Sequence, residues 1–492
     1  MNAGSIIFKK DFDAAKPTLI FEDRIISRGE ILSRTRQLAA GLRQMGIKKG
    51  DRVALLIANR PENLISYFAV LIAGGVAVPI NTQLKEAEIR YILKDSRSRA
   101  LIFSAAWYDR VCRKMPVETM IQIGGNHRAG CYDYDRLADR SPGDFDIQDV
   151  GRQDNAHIIY TTGTTGKPKG VVVTHANLAF MARGLAEEWD MLPDDKIVMP
   201  LPLFHVYGLL CSTAMMMSGS INILIEKFKV DLLIEILMRY RPAGLMGVPT
   251  IYKMMLNHIG AGRLDMSFLK YCASGAESLP LEILTAFRRK FSAEIVEGYG
   301  LSEATVSVCK NPIYGKRKPK SVGVPFPGVS VSIVDPNDRP VGTGQIGEII
   351  VKGPNVMKEY LNDPQRTRRT IRNGWLHTGD LGYCDDEGYI YIVDRSKDMY
   401  IRGGENVYPR EIEEVLYQHD SIMECAVVGV PDDLFGQVGK AFVITRNGNP
   451  LDPEQLTEFC RRRLADYKVP KYFEFRNSFP KTATGKILKR QL

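Results

Sequence analysis

No two of the eight cysteines form a C-x-x-C pair, and none stands with the seven histidines in a spacing that would hold a metal. That absence argues against a disulfide framework or a zinc ribbon and fits reduced thiols, from which a cytoplasmic protein is expected. Uninterrupted apolar runs are missing too. Leu64–Ile80 and Leu209–Leu224 come nearest, but glycine and polar residues break both below the roughly 18–20 residues of a membrane span, so each reads as a buried helix followed by a buried strand. The N-terminal "MNAGSIIFKKDFDAAKP" returns to charge after a short apolar run, unlike a secretory leader. Neither a solenoid period nor a disordered tract is present.

What is present is 492 residues with 45% hydrophobic and 25% charged content, enough for two or more globular domains. The net charge of +9 is unevenly spread: residues 461–490 hold ten Lys or Arg against two acids, so +8 of it lies in the tail. A nucleic-acid surface would distribute such charge with base-stacking aromatics. Tyr472, Phe473 and Phe475 instead read as strand packing, Lys489 and Arg490 as solvated, and no nucleic-acid partner is expected.

From about residue 28 to 310, helical stretches such as "NLISYFAVLIAGG" and "VDLLIEILMRYRP" alternate with short apolar runs. "RVALLIAN", "GVAVPIN", "RALIFS" and "AHIIYTT" are candidate buried strands. This alternation predicts α/β layers with largely parallel sheets. Residues 311–393 change to short alternating strands with Gly/Pro turns, as in a small β-barrel or meander. Beyond Asp394 a smaller α+β unit is expected, with helices in "PREIEEVLYQH" and in the Asp-capped "DPEQLTEFCRRRLADYKVP" and strands in "ECAVVGVP" and "KAFVIT". The predicted boundary is "DRSKD", 394–398, giving domains 1–393 and 394–492.

"YTTGTTGKPKG", 160–170, packs glycine, threonine and lysine between two strand-like runs, as in a hairpin. It does not satisfy G-x-x-x-x-G-K-[ST], because neither Gly163 nor Gly166 has Gly-Lys at the required offset. "GTGQIG", 342–347, satisfies G-x-G-x-x-G but precedes a strand-like run, so it reads as a turn. The first loop is either a solvated turn or a cradle of amides, hydroxyls and the Lys167 and Lys169 cations for a polyphosphate.

Further motifs follow in order: "PLFHVYG" (202–208), "SGAE" (274–277), "YGLSEAT" (299–305), "HTGD" (377–380), "DRSKDMYIRGGENVYP" (394–409) and "KTATGKILKR" (481–490). With these seven in register across most of its length, the chain resembles the ANL superfamily of adenylate-forming enzymes, most closely its fatty-acyl-CoA synthetases. The resemblance implies a large N-terminal domain of several subdomains and a small mobile C-terminal one. It also implies a two-step reaction, in which a carboxylic acid and ATP give an acyl-adenylate and pyrophosphate, then CoA gives a thioester and AMP.

By that resemblance, Thr161, Thr162, Gly163, Thr164, Thr165, Gly166 and Lys167 hold the phosphates of ATP, while Thr161 and Glu303 bind Mg²⁺. Ser302 stands where the family more often has threonine and keeps the hydroxyl. Adenine lies between the loop of Gly275, Ala276 and Glu277 and the ring of Tyr299, and Glu297, Gly298 and Gly300 also contact ATP or AMP. Asp380 accepts the ribose hydroxyls, and Arg395 contacts the ribose from the hinge side. Lys486 reaches into the cleft and bridges carboxylate and α-phosphate, which accounts for the basic tail. Tyr299 as plain core, Asp380 as a cap and Glu303 as a surface acid are the alternatives.

Relatives that activate amino acids carry an Asp near "PLFHVYG" to pair with the substrate ammonium. Here His205 stands there, and burying an ammonium without a counter-charge is costly, so a substrate without an α-amino group is expected. His205, Val206, Tyr207, Gly208, Gly247, Val248, Thr250, Ser274 and Leu301 are candidate acyl-pocket walls, with Gly208 and Gly247 leaving room for a chain and His205 alternatively a core histidine. The Met run 215–217 is either adaptable pocket packing or core. A medium or long fatty acid is expected, an aryl acid being the alternative. For the second step the resemblance assigns the hinge to Asp394 and the CoA passage to Arg402, Gly403, Gly404 and Glu405; loading of an acyl carrier protein is the alternative to CoA. The oligomeric state stays open, a homodimer included.

Overall fold

The computed structural model describes residues 2–8, 13–108, 115–126, 128–138, 145–161, 168–258, 262, 264–481 and 487–492. Two large sheets organise the first three hundred residues. One has nine strands, in the spatial order Val324–Pro325, Cys309–Lys310, Ile295–Tyr299, Tyr271–Ser274, Gly244–Gly247, Lys196–Met199, Ile221–Leu224, Pro17–Phe21 and Arg24–Ser27. The run from Ile295–Tyr299 to Pro17–Phe21 is parallel throughout. The other has eight strands and is mainly parallel, with the hairpin Asn155–Thr161/Lys169–Thr174 set antiparallel within it. Strands such as Val76–Pro79, Gly244–Gly247 and Tyr271–Ser274 are buried at every position, as expected where helices cover both faces.

The two near-membrane runs resolve as read. Pro61–Ile72 is a buried helix leading into Val76–Pro79, and Val206–Ser218 leads into Ile221–Leu224. The second break is Gly219, left-handed at φ +87°, which ends the helix at little steric cost. Met215, Met216 and Met217 are buried in the main core. Among the described residues no helix is long and apolar enough to cross a membrane.

The β-rich stretch forms five strands, Ser330–Val334, Gly347–Lys352, Trp375–Cys384, Ile371–Arg372 and Ile390–Arg395. Three of them pair with Trp375–Cys384, and among the described residues no pairing closes the set into a barrel, so it is an open meander. Gly342–Gly347 is the turn before a strand, as expected.

The last hundred residues carry their own apolar core, including Tyr400, Ile412, Leu416, Val427, Val443 and Leu456. It is built on Ile422–Asp432, Gly436–Thr445 and the parallel Tyr472–Phe475. Asp452 caps Pro453–Arg461 as predicted, but the helix stops nine residues in. The chain then passes through the exposed Arg462 and Arg463 to Leu464, which packs on this core, and tightens into the single turn Asp466–Lys468. Phe473 and Phe475 pack on this core, whereas Tyr472 is 45% exposed.

Candidate functional site

Three of the motifs, and the segment 247–250 that carries further candidate pocket residues, meet because of sheet order. Lys196–Met199, Gly244–Gly247, Tyr271–Ser274 and Ile295–Tyr299 are adjacent parallel strands, so the segments leaving their C-terminal ends emerge side by side. These segments are 202–208, 247–250, 274–277 and 299–303, and ligands of open α/β sheets bind at such ends. A Cβ placed on Gly275 would stand 3.4 Å from the Tyr207 ring and 3.7 Å from the Gly298 carbonyl oxygen. The predicted acyl wall and the predicted adenine loops are therefore contiguous.

His205 caps the helix Val206–Ser218, its Nδ1 accepting from the Tyr207 amide at 3.3 Å. Desolvation lowers its pKa to about 4, so the ring is neutral at physiological pH. Val206 is buried and Tyr207 half-buried behind it. Ser274 is 2% exposed, and its hydroxyl oxygen has no hydrogen-bond partner. Val248 precedes the helix Pro249–Asn257, which includes Thr250. The space expected at two glycines is already taken. A Cβ on Gly208 would lie 2.5 Å from the Pro202 carbonyl oxygen, and one on Gly247 2.6 Å from the Tyr252 hydroxyl. Glycine at both positions serves close packing of protein against protein, not room for a chain.

Leu301 leads into the turn Ser302–Ala304, where Glu303 is buried. Lys169 Nζ lies 2.6 Å from Glu303 Oε1, and the Tyr360 hydroxyl donates to the same oxygen at 2.8 Å. Lys169 also donates to the Tyr360 hydroxyl at 2.8 Å. Burial pushes the Glu303 carboxyl up, but Lys169 and Tyr360 outweigh it and hold the pKa below the ordinary value. Lys169 is thus the counter-ion of Glu303 in this structure, rather than a free phosphate ligand. Tyr360 was missed in the sequence because its signal is positional. Glu359–Tyr360 pairs with Val171–Val172, next to the threonine-rich hairpin but nearly two hundred residues later.

Thr161 ends the strand Asn155–Thr161 opposite Lys169. Its hydroxyl oxygen is buried and without a partner. An ionised carboxylate and an orphaned hydroxyl, both hard oxygen donors, suit a Mg²⁺ that arrives on a triphosphate and keeps most of its other ligands. Among the described residues no group of three or more His, Cys, Asp or Glu gathers to hold a metal by itself. Thr162, Gly163, Thr164, Thr165, Gly166, Lys167 and Lys486 lie outside the described residues.

Tyr299 donates to Asp380 Oδ2 at 2.6 Å, and Arg395 Nε lies 2.9 Å from Asp380 Oδ1. Asp380 and Arg395 are cross-strand partners, which explains their contact across fifteen residues. Burial raises the Tyr299 phenol well above its usual value, with Asp380 adding to the effect. Glu297, 8% exposed, accepts from the Leu279 amide at 3.4 Å. Burial raises its pKa to about 7, opposed by Arg410 and the amide and assisted by Glu414. Ala276 holds a left-handed φ of +69°, while Glu277 sits half-buried beside it. A Cβ on Gly300 would fall 1.4 Å from the Val306 carbonyl oxygen, so the "YGLSEAT" turn requires glycine there.

Asp394, 7% exposed, accepts from the Arg395 and Arg410 amides at 2.7 and 2.9 Å. Gly403 and Gly404 form the two-residue turn between Tyr400–Arg402 and Glu405–Val407, with φ of +59° and +91° as a type I′ turn demands. The turn and Glu405 are exposed. Arg402 lies beneath, donating to the Tyr467 and Val469 carbonyls at 3.0 and 2.9 Å. Lys489, expected in solvent, instead pairs with Glu413 at 2.7 Å, because the terminal segment folds back on the helix Pro409–Leu416.

The profile of the family described as "AMP-binding enzyme" matches residues 10–361, and that of the "AMP-binding enzyme C-terminal domain" matches 411–486. The chain belongs to the AMP-binding enzyme family. The long-chain-fatty-acid–CoA ligase of Bacillus subtilis (strain 168) is 39% identical, over 97% of this chain and 91% of its own. A feruloyl-CoA synthase of an Amycolatopsis species is 36% identical, over 95% and 93%. The ATP-bound structure of MatB from Rhodopseudomonas palustris superposes with a TM-score of 0.93 at 32% identity, covering 100% of this chain and 97% of that one. Family membership accounts for the open α/β sheet, the smaller C-terminal unit and the motif order together.

Proposed function

We propose that this AMP-binding enzyme is an ATP-dependent acid–CoA ligase, which forms an acyl-adenylate with release of pyrophosphate and then an acyl-CoA with release of AMP. The observation that carries the reading is the Lys169–Glu303–Tyr360 cluster beside the orphaned Thr161 hydroxyl. An ionised carboxylate and an unpartnered hydroxyl at the root of the threonine-rich hairpin support Mg²⁺ and triphosphate binding there.

The chemical obstacle is that two anions, a carboxylate and an α-phosphate, must meet. Glu303 and Thr161 would hold the Mg²⁺, which supplies charge neutralisation on the departing phosphates. Asp380 would exchange its Tyr299 and Arg395 contacts for ribose hydroxyls, leaving the tyrosine ring as a face for adenine. Neutral His205 at its helix terminus would border the acid's carboxylate without adding an acidic rival. Lys486 would bridge carboxylate and α-phosphate, so that attack on phosphorus and loss of pyrophosphate proceed with the charge compensated. For thioester formation the unit beyond the boundary at 394 would turn about Asp394, withdraw Lys486 and bring Gly403 and Gly404 to the pantetheine path.

The substrate we propose is a medium- or long-chain fatty acid, supported by the 39% identical ligase. The feruloyl-CoA synthase likeness favours an aryl acid as the second reading. Acid-dependent exchange of labelled pyrophosphate into ATP tests the first half-reaction. In Lys486→Ala it is expected to fall at least about a hundredfold while nucleotide binding persists. Undiminished exchange in that variant overturns the role of Lys486. A panel of acids with hydroxylamine trapping identifies the substrate, and CoA offered beside a phosphopantetheinyl carrier identifies the acceptor.

A further inference from the structure

Glu424 lies on the strand Ile422–Asp432 of the C-terminal unit and is only 15% exposed, yet it faces two lysines from different parts of the chain. Lys481 Nζ sits 2.8 Å from Glu424 Oε1, and Lys253 Nζ sits 3.8 Å from the same oxygen. Lys253 belongs to the helix Pro249–Asn257, which leaves the sheet directly after Gly247 and Val248. It also donates to the Met423 carbonyl oxygen and lies 5.5 Å from the centroid of the Tyr417 ring. Lys253 is therefore a residue of the large unit lodged in the C-terminal one. Lys481 and Lys489 stand on either side of Lys486 in sequence. Lys481 is held by Glu424 and bridged to Ile487, while Lys489 is held by Glu413 at 2.7 Å, whose same oxygen also accepts from the Val427 amide at 2.7 Å.

We infer that Glu424 is a positioning residue for adenylation. By pairing with Lys481 of the terminal segment and with Lys253 of the helix Pro249–Asn257, it ties the chain that leads to Lys486 to the large unit, a junction that serves acyl-adenylate formation. The inference rests on the ligase reading above. Glu424 acts through its two lysines; its carboxylate is the common point of two chain segments. Removing its charge releases Lys481 and leaves Lys253 only the Met423 carbonyl and the Tyr417 ring, and misplacing a reacting group by about an ångström can cost up to a hundredfold in rate. Thioester formation does not use Lys486, so it should not need this junction.

The experiment measures two half-reactions on the full-length protein: acid-dependent pyrophosphate–ATP exchange, and thioester formation from supplied acyl-adenylate and CoA. Glu424→Gln is expected to lower exchange by about tenfold or more while thioester formation stays within about twofold of the parent protein. Lys253→Gln, made in the other unit, is expected to give the same split, which a local folding defect around Glu424 would not. Equal losses in both assays, or no loss in either, overturn the inference while leaving the ligase reading intact. Absence of exchange in the parent protein with every acid tried overturns both.

Discussion

At the scale of single residues, the site stores charge in unequal surroundings. Glu303 is buried beside an ammonium and a phenol and stays ionised. Glu297 is buried with Arg410 only partly offsetting the desolvation, and its pKa rises to about 7. For an acid whose pKa is higher folded than unfolded, the folded state binds more protons between the two values, so stability falls as pH rises through that window. Glu297→Gln should therefore raise the melting temperature at pH 8 but hardly change it near pH 4. The shift corresponds to up to about 3 kcal/mol at the alkaline end. A variant that melts with the same pH dependence as the parent would show that Glu297 is not the titrating group. The glutamate in "YGLSE" was legible from its motif, whereas the pairing with Lys169 and Tyr360 was not, because it depends on a strand pairing between residues 171–172 and 359–360.

At the scale of elements, one short loop owes its shape to glycine. The Gly403–Gly404 turn joins paired strands, and both residues lie in the left-handed region that side chains avoid. At Gly404 an added Cβ would have nothing within 4 Å, so an alanine there meets backbone strain and no clash. Gly404→Ala is expected to cost about 1 kcal/mol of stability of the C-terminal unit. Its larger effect should be a slowed CoA half-reaction with pyrophosphate exchange nearly unchanged, read by the same pair of assays. Equal effects on both would deny the turn a special part in thioester formation. Gly208 and Gly247 teach the opposite lesson. Their sequence context reads as open space, but packing partners from Pro202 and Tyr252 fill it. Small size in a sequence says that something comes close, not whether it is ligand or protein.

At the scale of the whole molecule, the C-terminal unit has an apolar core separate from the large one. Several of its contacts with the preceding chain are polar, including Lys253–Glu424, Lys320–Glu414 and Arg410 to the Ile392 carbonyl. Of these, the Lys320–Glu414 pair is the exposed one, and exposed pairs are weak and screened, the Debye length falling from about 8 Å at physiological ionic strength to about 3 Å at 1 M, whereas the buried Lys253–Glu424 contact is screened less. Calorimetry should therefore resolve a smaller heat-absorption peak for the C-terminal unit, and that peak should move apart from the main one as salt is added. One salt-insensitive transition would mean that the two cores melt together through contacts stronger than these pairs.

The alternation of helices and apolar strands, the change of texture after residue 310, the separate C-terminal unit and the order of the motifs were all determined by the sequence itself. These follow from local periodicity and short-range chemistry, which the chain carries residue by residue. Tertiary structure alone decided that three motifs and the segment 247–250 emerge side by side from adjacent parallel strands, that Tyr360 completes the Glu303 cluster, and that Lys253 meets Glu424 across 171 residues. The physical reason is that sheet order and the return of a distant strand minimise exposed apolar surface over the whole chain, a quantity no local stretch contains.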